Sequence, residues 1–151
     1  MDGNSDLTRA ARWLGYAGLL PQFACLAFAL SGHEWRFVAL AGGFAYAAAI
    51  FSFLGGVWWG QALASGRGGA GPYLVAVMPS LIAAVLFLPW SFGWDWPGPA
   101  LMYLGTFILI SPLVDRALGY ASRGFVRLRI QLSVGLGVLT VMLGIAAQAI
   151  V

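Results

Sequence analysis

Charged residues are scarce in this sequence. Of its 151 residues, only 9% are Asp, Glu, Lys or Arg and none is lysine, whereas 61% are hydrophobic. Soluble domains usually carry about 25% charged residues, so this composition excludes a soluble globular protein and indicates a polytopic membrane protein. The net charge of +3 comes from arginines whose positions follow membrane topology. We therefore expect a lipid bilayer, and not nucleic acid, as the partner of this chain.

The sequence is equally poor in the residues of metal and catalytic sites. The single cysteine, Cys25, excludes an intrachain disulfide and is best explained as a small packing residue. The single histidine, His33, lies beside Glu34 in a loop, and without a second histidine no metal coordination set is complete. No Ser-His-Asp or Cys-His set can be assembled within the apolar segments. We expect no catalytic residue, no metal and no cofactor, and we do not expect an enzyme.

What the sequence does have is long apolar runs. A helix needs about 20 residues to cross ~30 Å of hydrocarbon, and five runs approach or exceed that length. They predict an all-α integral membrane protein with a compact bundle of five transmembrane helices. Residues 1–12 are predicted to be a polar N-terminal tail, and residues 13–151 a single transmembrane domain. The predicted helices span about residues 13–30, 37–64, 73–90, 99–118 and 128–150.

The arginines predict the orientation of this bundle. With the N-terminus inside, only Arg36 falls outside, as the positive-inside rule requires. The tryptophans prefer the headgroup level and also fall near the predicted helix ends. The absence of lysine favours a GC-rich bacterial genome, so we predict a multi-pass protein of the bacterial cytoplasmic (inner) membrane, with its C-terminus outside. The arginines assigned to the inside are Arg9, Arg12, Arg67, Arg116, Arg123, Arg127 and Arg129.

Glycines predict where the helices touch, because helices in lipid associate through small residues that allow close backbone approach. Gly56 and Gly60 have the small-xxx-small spacing, and Ser52 lies one turn earlier. Such stripes indicate packing rather than chemistry. The predicted packing positions are Gly55, Gly56 and Gly60 on the second helix, and Gly137 and Gly144 on the fifth.

Three prolines predict kinks. Pro21, Pro79 and Pro112 each lack an amide and leave the carbonyl four residues earlier without its helical partner. That carbonyl must find water, a hydroxyl or a neighbouring helix. We interpret the three kinks as fixed bends, and we expect Pro112 to fray or break the inner end of the fourth helix.

Asp115 is the one carboxylate that approaches the hydrocarbon. Left unpaired at the centre of a bilayer, such a group costs at least ~2.5 to 3.5 kcal/mol. The available partners are Arg116, Arg127 and Arg129, of which Arg129 is preferred. A structural ion pair between the fourth and fifth helices is the favoured interpretation, and a proton or substrate site is the alternative.

The chain resembles a family of uncharacterised membrane proteins. The residues that carry the resemblance are Leu14 to Pro21, Ser52 to Gly60, Pro79 to Leu81, Asp115, and Leu128 with Arg129. They are similar to the domain of unknown function 3429 family, which includes transmembrane protein 69. The resemblance implies a five-helix membrane protein and supplies no activity.

These positions fall mainly in the predicted inner half and define a candidate cluster of Ser52, Trp59, Asp115 and Arg129. It is interpreted either as a folding nucleus or as a small inner-facing pocket. The leading hypothesis for function is a non-enzymatic structural, accessory or assembly partner of membrane complexes, through contact with another membrane protein or with itself. The alternative is binding or transport of a small amphiphile, a lipid or a quinone, in that pocket.

Overall fold

The computed structural model describes residues 9–32, 34–66, 69–94, 97–120 and 122–149. Within these residues every regular element is an α-helix. His33, Arg67, Trp96 and the two chain ends lie outside the described residues. The helices are α1 (Arg9–Ala17), α2 (Leu20–Leu30), α3 (Arg36–Ser65), α4 (Gly71–Ser91), α5 (Gly98–Leu118) and α6 (Arg123–Gln148).

Five stretches of the described chain are long and apolar enough to cross a membrane, as the sequence predicts. The first of them, Arg9–Leu30, consists of two helices rather than one. It also begins earlier than predicted, so residues 9–12, assigned to the polar tail, are helical. The last begins at Arg123, which extends the predicted fifth span toward the N-terminus.

The prolines have different effects on their helices. Pro21 lies in the first turn of α2, directly after the break at Gly18 and Leu19, so the helical run is interrupted next to this proline. Pro79 lies inside α4 and Pro112 inside α5. The break expected at Pro112 does not occur, because α5 continues to Leu118.

The structure explains why α5 tolerates Pro112. The carbonyl of Ile108, which lies four residues earlier, accepts a hydrogen bond from Ser111 Oγ at 2.8 Å. This hydroxyl replaces the amide donor that proline lacks. The helix therefore passes through the proline with a satisfied backbone.

Glycines bring the backbones of α5 and α6 into close contact. A Cβ at Gly105 would lie 2.8 Å from the Gly137 carbonyl oxygen, and one at Gly137 would lie 2.9 Å from the Gly105 carbonyl oxygen. The same relationship recurs seven residues away, where a Cβ at Gly144 would lie 2.9 Å from the carbonyl oxygen of Gly98. The two backbones therefore touch along an antiparallel seam.

Of the three α3 glycines predicted to pack, Gly55 does so. The Ala76 carbonyl oxygen of α4 occupies the position of a Cβ there, and Pro79 Cγ would be 3.3 Å from it. Gly56 and Gly60 have no atom of another helix within 4 Å of a Cβ position. The prediction that these two glycines pack inside the bundle is corrected, since they lie on a face of α3 that the described chain leaves open.

Two polar contacts attach α2 and α3 to α6. Gln22 of α2 donates from Nε2 to Thr140 Oγ1 of α6 at 3.0 Å, with both side chains fully buried. Near the C-terminal end of α6, the Arg36 guanidinium donates to the carbonyl oxygen of Ala146. A cation at a helix C-terminus is favourable because it meets unpaired carbonyls, which gives Arg36 a structural role.

Candidate functional site

The polar centre of the structure is a contact among three helices. Arg129 of α6 donates from Nε and Nη2 to Asp115 Oδ2 of α5, at 3.1 and 2.9 Å. Trp58 of α3 donates from Nε1 to Asp115 Oδ1 at 2.7 Å. All three residues are buried, with exposures of 3% for Trp58, 2% for Asp115 and 6% for Arg129. We call these three residues the α3–α5–α6 polar centre.

The electrostatics of this centre follow from its geometry. Three N–H groups converge on one carboxyl group. The guanidinium neutralises the carboxylate at 2.9 Å, which offsets the cost of burying both charges. The centre thus has no net charge.

The depth of the polar centre follows from helix length. Arg129 is six residues beyond Arg123, the first residue of α6, or about 9 Å at a rise of ~1.5 Å per residue. Asp115 lies within the last turn of α5. The centre is therefore close to one end of the bundle and not at its middle.

Two serines extend the polar contacts toward the middle of the bundle. Ser111 Oγ and Ser133 Oγ are 3.3 Å apart and both are buried. Because the single proton of Ser111 is already donated to Ile108, Ser133 is the donor in this pair. Both hydroxyl protons are thus directed into the protein.

Beside the polar centre lies a cavity of about 380 Å³. Its walls come from α1, the α1–α2 turn, α3, α5 and α6, and almost all are apolar. Arg129 and Ser133 provide the polar part of the lining, whereas Asp115 does not line the cavity. Leu14 and Phe53 also line it and are 73% and 66% exposed, so the cavity opens on the outer surface of the bundle between α1 and α3. The lining consists of Leu14, Gly15, Gly18, Leu19, Ile50, Phe53, Leu54, Val57, Ile108, Phe125, Leu128, Arg129, Leu132, Ser133 and Leu136.

Two hydroxyl contacts position the wall that α1 and α2 supply. Tyr46 of α3 donates to the carbonyl oxygen of Gly18 at the break between the two helices. Tyr16 of α1 donates to Gln131 Oε1 of α6 at 2.7 Å. The break is therefore fixed to α3, and α1 is fixed to α6.

Of the four residues predicted to form the cluster, the structure brings together Asp115 and Arg129. Trp59 does not belong to it, because its ring points away and meets Tyr73 of α4 edge-on at 4.9 Å between centroids. Ser52 is also elsewhere, in a second groove of about 340 Å³ between α3 and α4 that is lined mainly by alanines. Both corrections have the same cause, since a helix turns by about 100° per residue and adjacent residues face different neighbours.

The sequence interpretation missed Trp58, although a signal was present. Trp58 follows Leu54 and Gly55 by four and three residues, so these positions share one helix face. All three are buried. Arg129 donates to only one carboxylate oxygen of Asp115, so the other oxygen needs a donor as well. The indole N–H of tryptophan is one of the few hydrogen-bond donors that an apolar helix carries.

The missed glycines of α5 also had a signal. Gly98 and Gly105 are spaced seven apart, as are Gly137 and Gly144. Matching spacings on consecutive helices indicate an antiparallel pair in register. Only the α6 half of this seam is predicted from the sequence.

A comparison with known proteins gives one match. The model of the family described as "Protein of unknown function (DUF3429)" matches residues 7–146. No curated protein and no solved structure matches the chain. The match confirms the family resemblance seen in the sequence, without bearing on the likeness to transmembrane protein 69.

Proposed function

Because the chain belongs to the DUF3429 family, whose function is unknown, we propose a function from the geometry of its site: binding of a small amphiphile, a lipid or a quinone, in the cavity beside Arg129. The chain of the amphiphile occupies the apolar lining, and its polar head lies at Arg129. The observation that carries this proposal is a cavity with apolar walls and one buried cation. Ligand pockets commonly combine an apolar lining with a few convergent polar groups and measure ~300 to 1,000 Å³.

The membrane placement belongs to the same proposal. The N-terminus is inside and the C-terminus outside in a bacterial cytoplasmic membrane, which puts the polar centre at the inner headgroup boundary. Exposed apolar side chains on every long helix support insertion, among them Phe28, Val38, Leu81, Tyr103 and Ile145. In this placement the mouth between Leu14 and Phe53 faces lipid, so an amphiphile enters sideways from the membrane.

The test uses the same substitution at two positions. Val57 lines the cavity, whereas Val77 of α4 is 40% exposed on another face. Wild type, Val57→Trp and Val77→Trp are purified in mild detergent. Native mass spectrometry then measures the mass of each protein together with any bound amphiphile. We expect wild type and Val77→Trp to retain a bound amphiphile and Val57→Trp to lose it. Equal retention in all three proteins, or no retained amphiphile in wild type, contradicts the proposal.

A second function is supported by a different observation. The open face of α3 at Gly56 and Gly60 has the small-xxx-small spacing, and such a face allows another membrane helix to approach closely. This supports a non-enzymatic accessory or assembly role, with a second copy or another membrane protein packed on α3.

The matched control for the second function is Gly71 of α4, where a Cβ also meets no atom within 4 Å. Gly56→Leu should remove a partner that co-purifies with wild type, and Gly71→Leu should keep it. A partner retained by Gly56→Leu rules out this face as its binding surface.

A further inference from the structure

Building on the proposed function, we infer that the cavity beside Arg129 selects amphiphiles whose head is neutral and accepts hydrogen bonds. The matching chemistry is a carbonyl oxygen, as in an ester or a quinone. Heads with a permanent negative charge, such as a sulfate or phosphate, are excluded even though the charged residue among the described lining residues is an arginine.

The first reason is that the chain of the ligand contributes little selectivity. A bilayer is as apolar as the cavity walls, so moving a hydrocarbon chain from lipid into the cavity gains little hydrophobic free energy. Which amphiphile binds is then decided at the polar end. That end consists of Arg129 and Ser133.

The second reason is the charge balance at that end. Asp115 Oδ2 lies 2.9 Å from Arg129 Nη2, so the guanidinium charge is already neutralised. An anionic head beside Arg129 gives the site a net negative charge and lies near the carboxylate of Asp115. In a poorly solvated environment such like-charge proximity is strongly unfavourable. A neutral head avoids this repulsion.

The third reason is the direction of the available hydrogen bonds. Arg129 uses Nε and Nη2 for Asp115, and its Nη1 has no hydrogen-bond partner among the described residues. An arginine nitrogen only donates. Ser133 gives its proton to Ser111. Arg129 is therefore the donor among the polar lining residues, and a ligand head that meets it must accept.

The test compares two photoreactive probes with the same C16 chain: hexadecyl acetate, which is neutral and has a carbonyl, and hexadecyl sulfate, which stays anionic. Each carries a diazirine on the chain. Full-length protein in zwitterionic nanodiscs is labelled, and labelling of the cavity segment 122–136 is measured relative to the α4 segment 74–91. We expect wild type to favour the acetate by about tenfold or more, given the cost of like-charge proximity.

Asp115→Asn provides the decisive variant, because it removes the negative charge and leaves Arg129 unneutralised. We expect the preference to reverse toward the sulfate in this variant. The double variant Asp115→Asn with Arg129→Gln restores charge neutrality without the native residues, so it should not favour the sulfate. If Asp115→Asn does not fold, the comparison of the double variant with wild type still tests the inference.

The outcomes separate this inference from the proposed function. If neither probe labels the cavity segment above the α4 segment, both ideas are wrong. If both probes label it and wild type shows no preference for the acetate, the cavity binds amphiphiles and the inference about the head is wrong. Competition then distinguishes the sources of the carbonyl: decylubiquinone displaces the acetate probe if the ligand is a quinone, and dioleoylglycerol does so if it is an ester lipid.

Discussion

Gly105 of α5 and Gly137 of α6 face each other so closely that each occupies the space in which the other would hold a Cβ. The two Cβ positions would lie 2.8 and 2.9 Å from the opposing carbonyl oxygens. At this distance the two backbones are in van der Waals contact. No side chain can be inserted between them without moving a helix. It fixes the distance between the two helices that carry Asp115 and Arg129.

The first prediction compares glycines with and without such contacts. Gly105→Ala should destabilise the protein, because overpacking typically costs about 1–3 kcal/mol. Gly56→Ala should be neutral or stabilising by about 0.5–1 kcal/mol, since alanine favours helix and the site is open. Thermal unfolding in detergent measures both. Equal melting temperatures for the two variants would show that the α5–α6 seam is looser than described.

The second prediction separates the two adjacent tryptophans. Trp58→Phe replaces the indole by a smaller aromatic ring and removes the N–H that Asp115 Oδ1 accepts at 2.7 Å. We expect it to lose about 1.5–3 kcal/mol, the range for a hydrogen bond to a charged group. Trp59→Phe, on the exposed side of α3, is the control and should lose much less. A larger loss for Trp59→Phe would contradict the assignment of Trp58 to the polar centre.

The third prediction tests the orientation that underlies the proposed function. Reporter fusions after Gly69 and after the last residue should read opposite sides, with the first inside. Arginine bias motivates this expectation, since Arg9, Arg12, Arg116, Arg123, Arg127 and Arg129 share one predicted side. An inner location of the C-terminus would overturn the orientation and move the polar centre to the outer boundary.

The sequence predicts where the helices lie along the chain better than it predicts which residues of each helix face another helix. The five long apolar stretches follow from hydrophobicity alone, because a span needs only length and few charges. The side on which a residue lies depends on its neighbours, and apolar helices in lipid give little amphipathic signal to indicate it. This explains why Trp59 is predicted in place of Trp58, and why Gly56 and Gly60 are predicted to pack along with Gly55, although of these three only Gly55 does.

The ion pair was easier to predict than the cavity. A lone carboxylate near hydrocarbon must find a cation, and the candidates in sequence were few. The lining of the cavity includes Leu14 and Gly15 of α1 and the break at Gly18 and Leu19 that follows them. Pro21 signals a change of direction but not its size, so the sequence predicts a bend there without predicting the space it leaves.

The last prediction concerns the coupling of Asp115 and Arg129. Each is buried, and each is the charge partner of the other at 2.9 Å. Asp115→Asn and Arg129→Gln should each lose about 3–5 kcal/mol, because removing one member leaves an uncompensated buried charge. The double variant leaves no charge, so its loss should be clearly smaller than the sum of the two, with a coupling of about 0.5–3 kcal/mol. Arg127→Gln, which removes an exposed charge two residues earlier, is the control and should change stability by less than about 0.5 kcal/mol. Unfolding of all four variants in the same detergent measures the cycle, and strict additivity would show that Asp115 and Arg129 act independently.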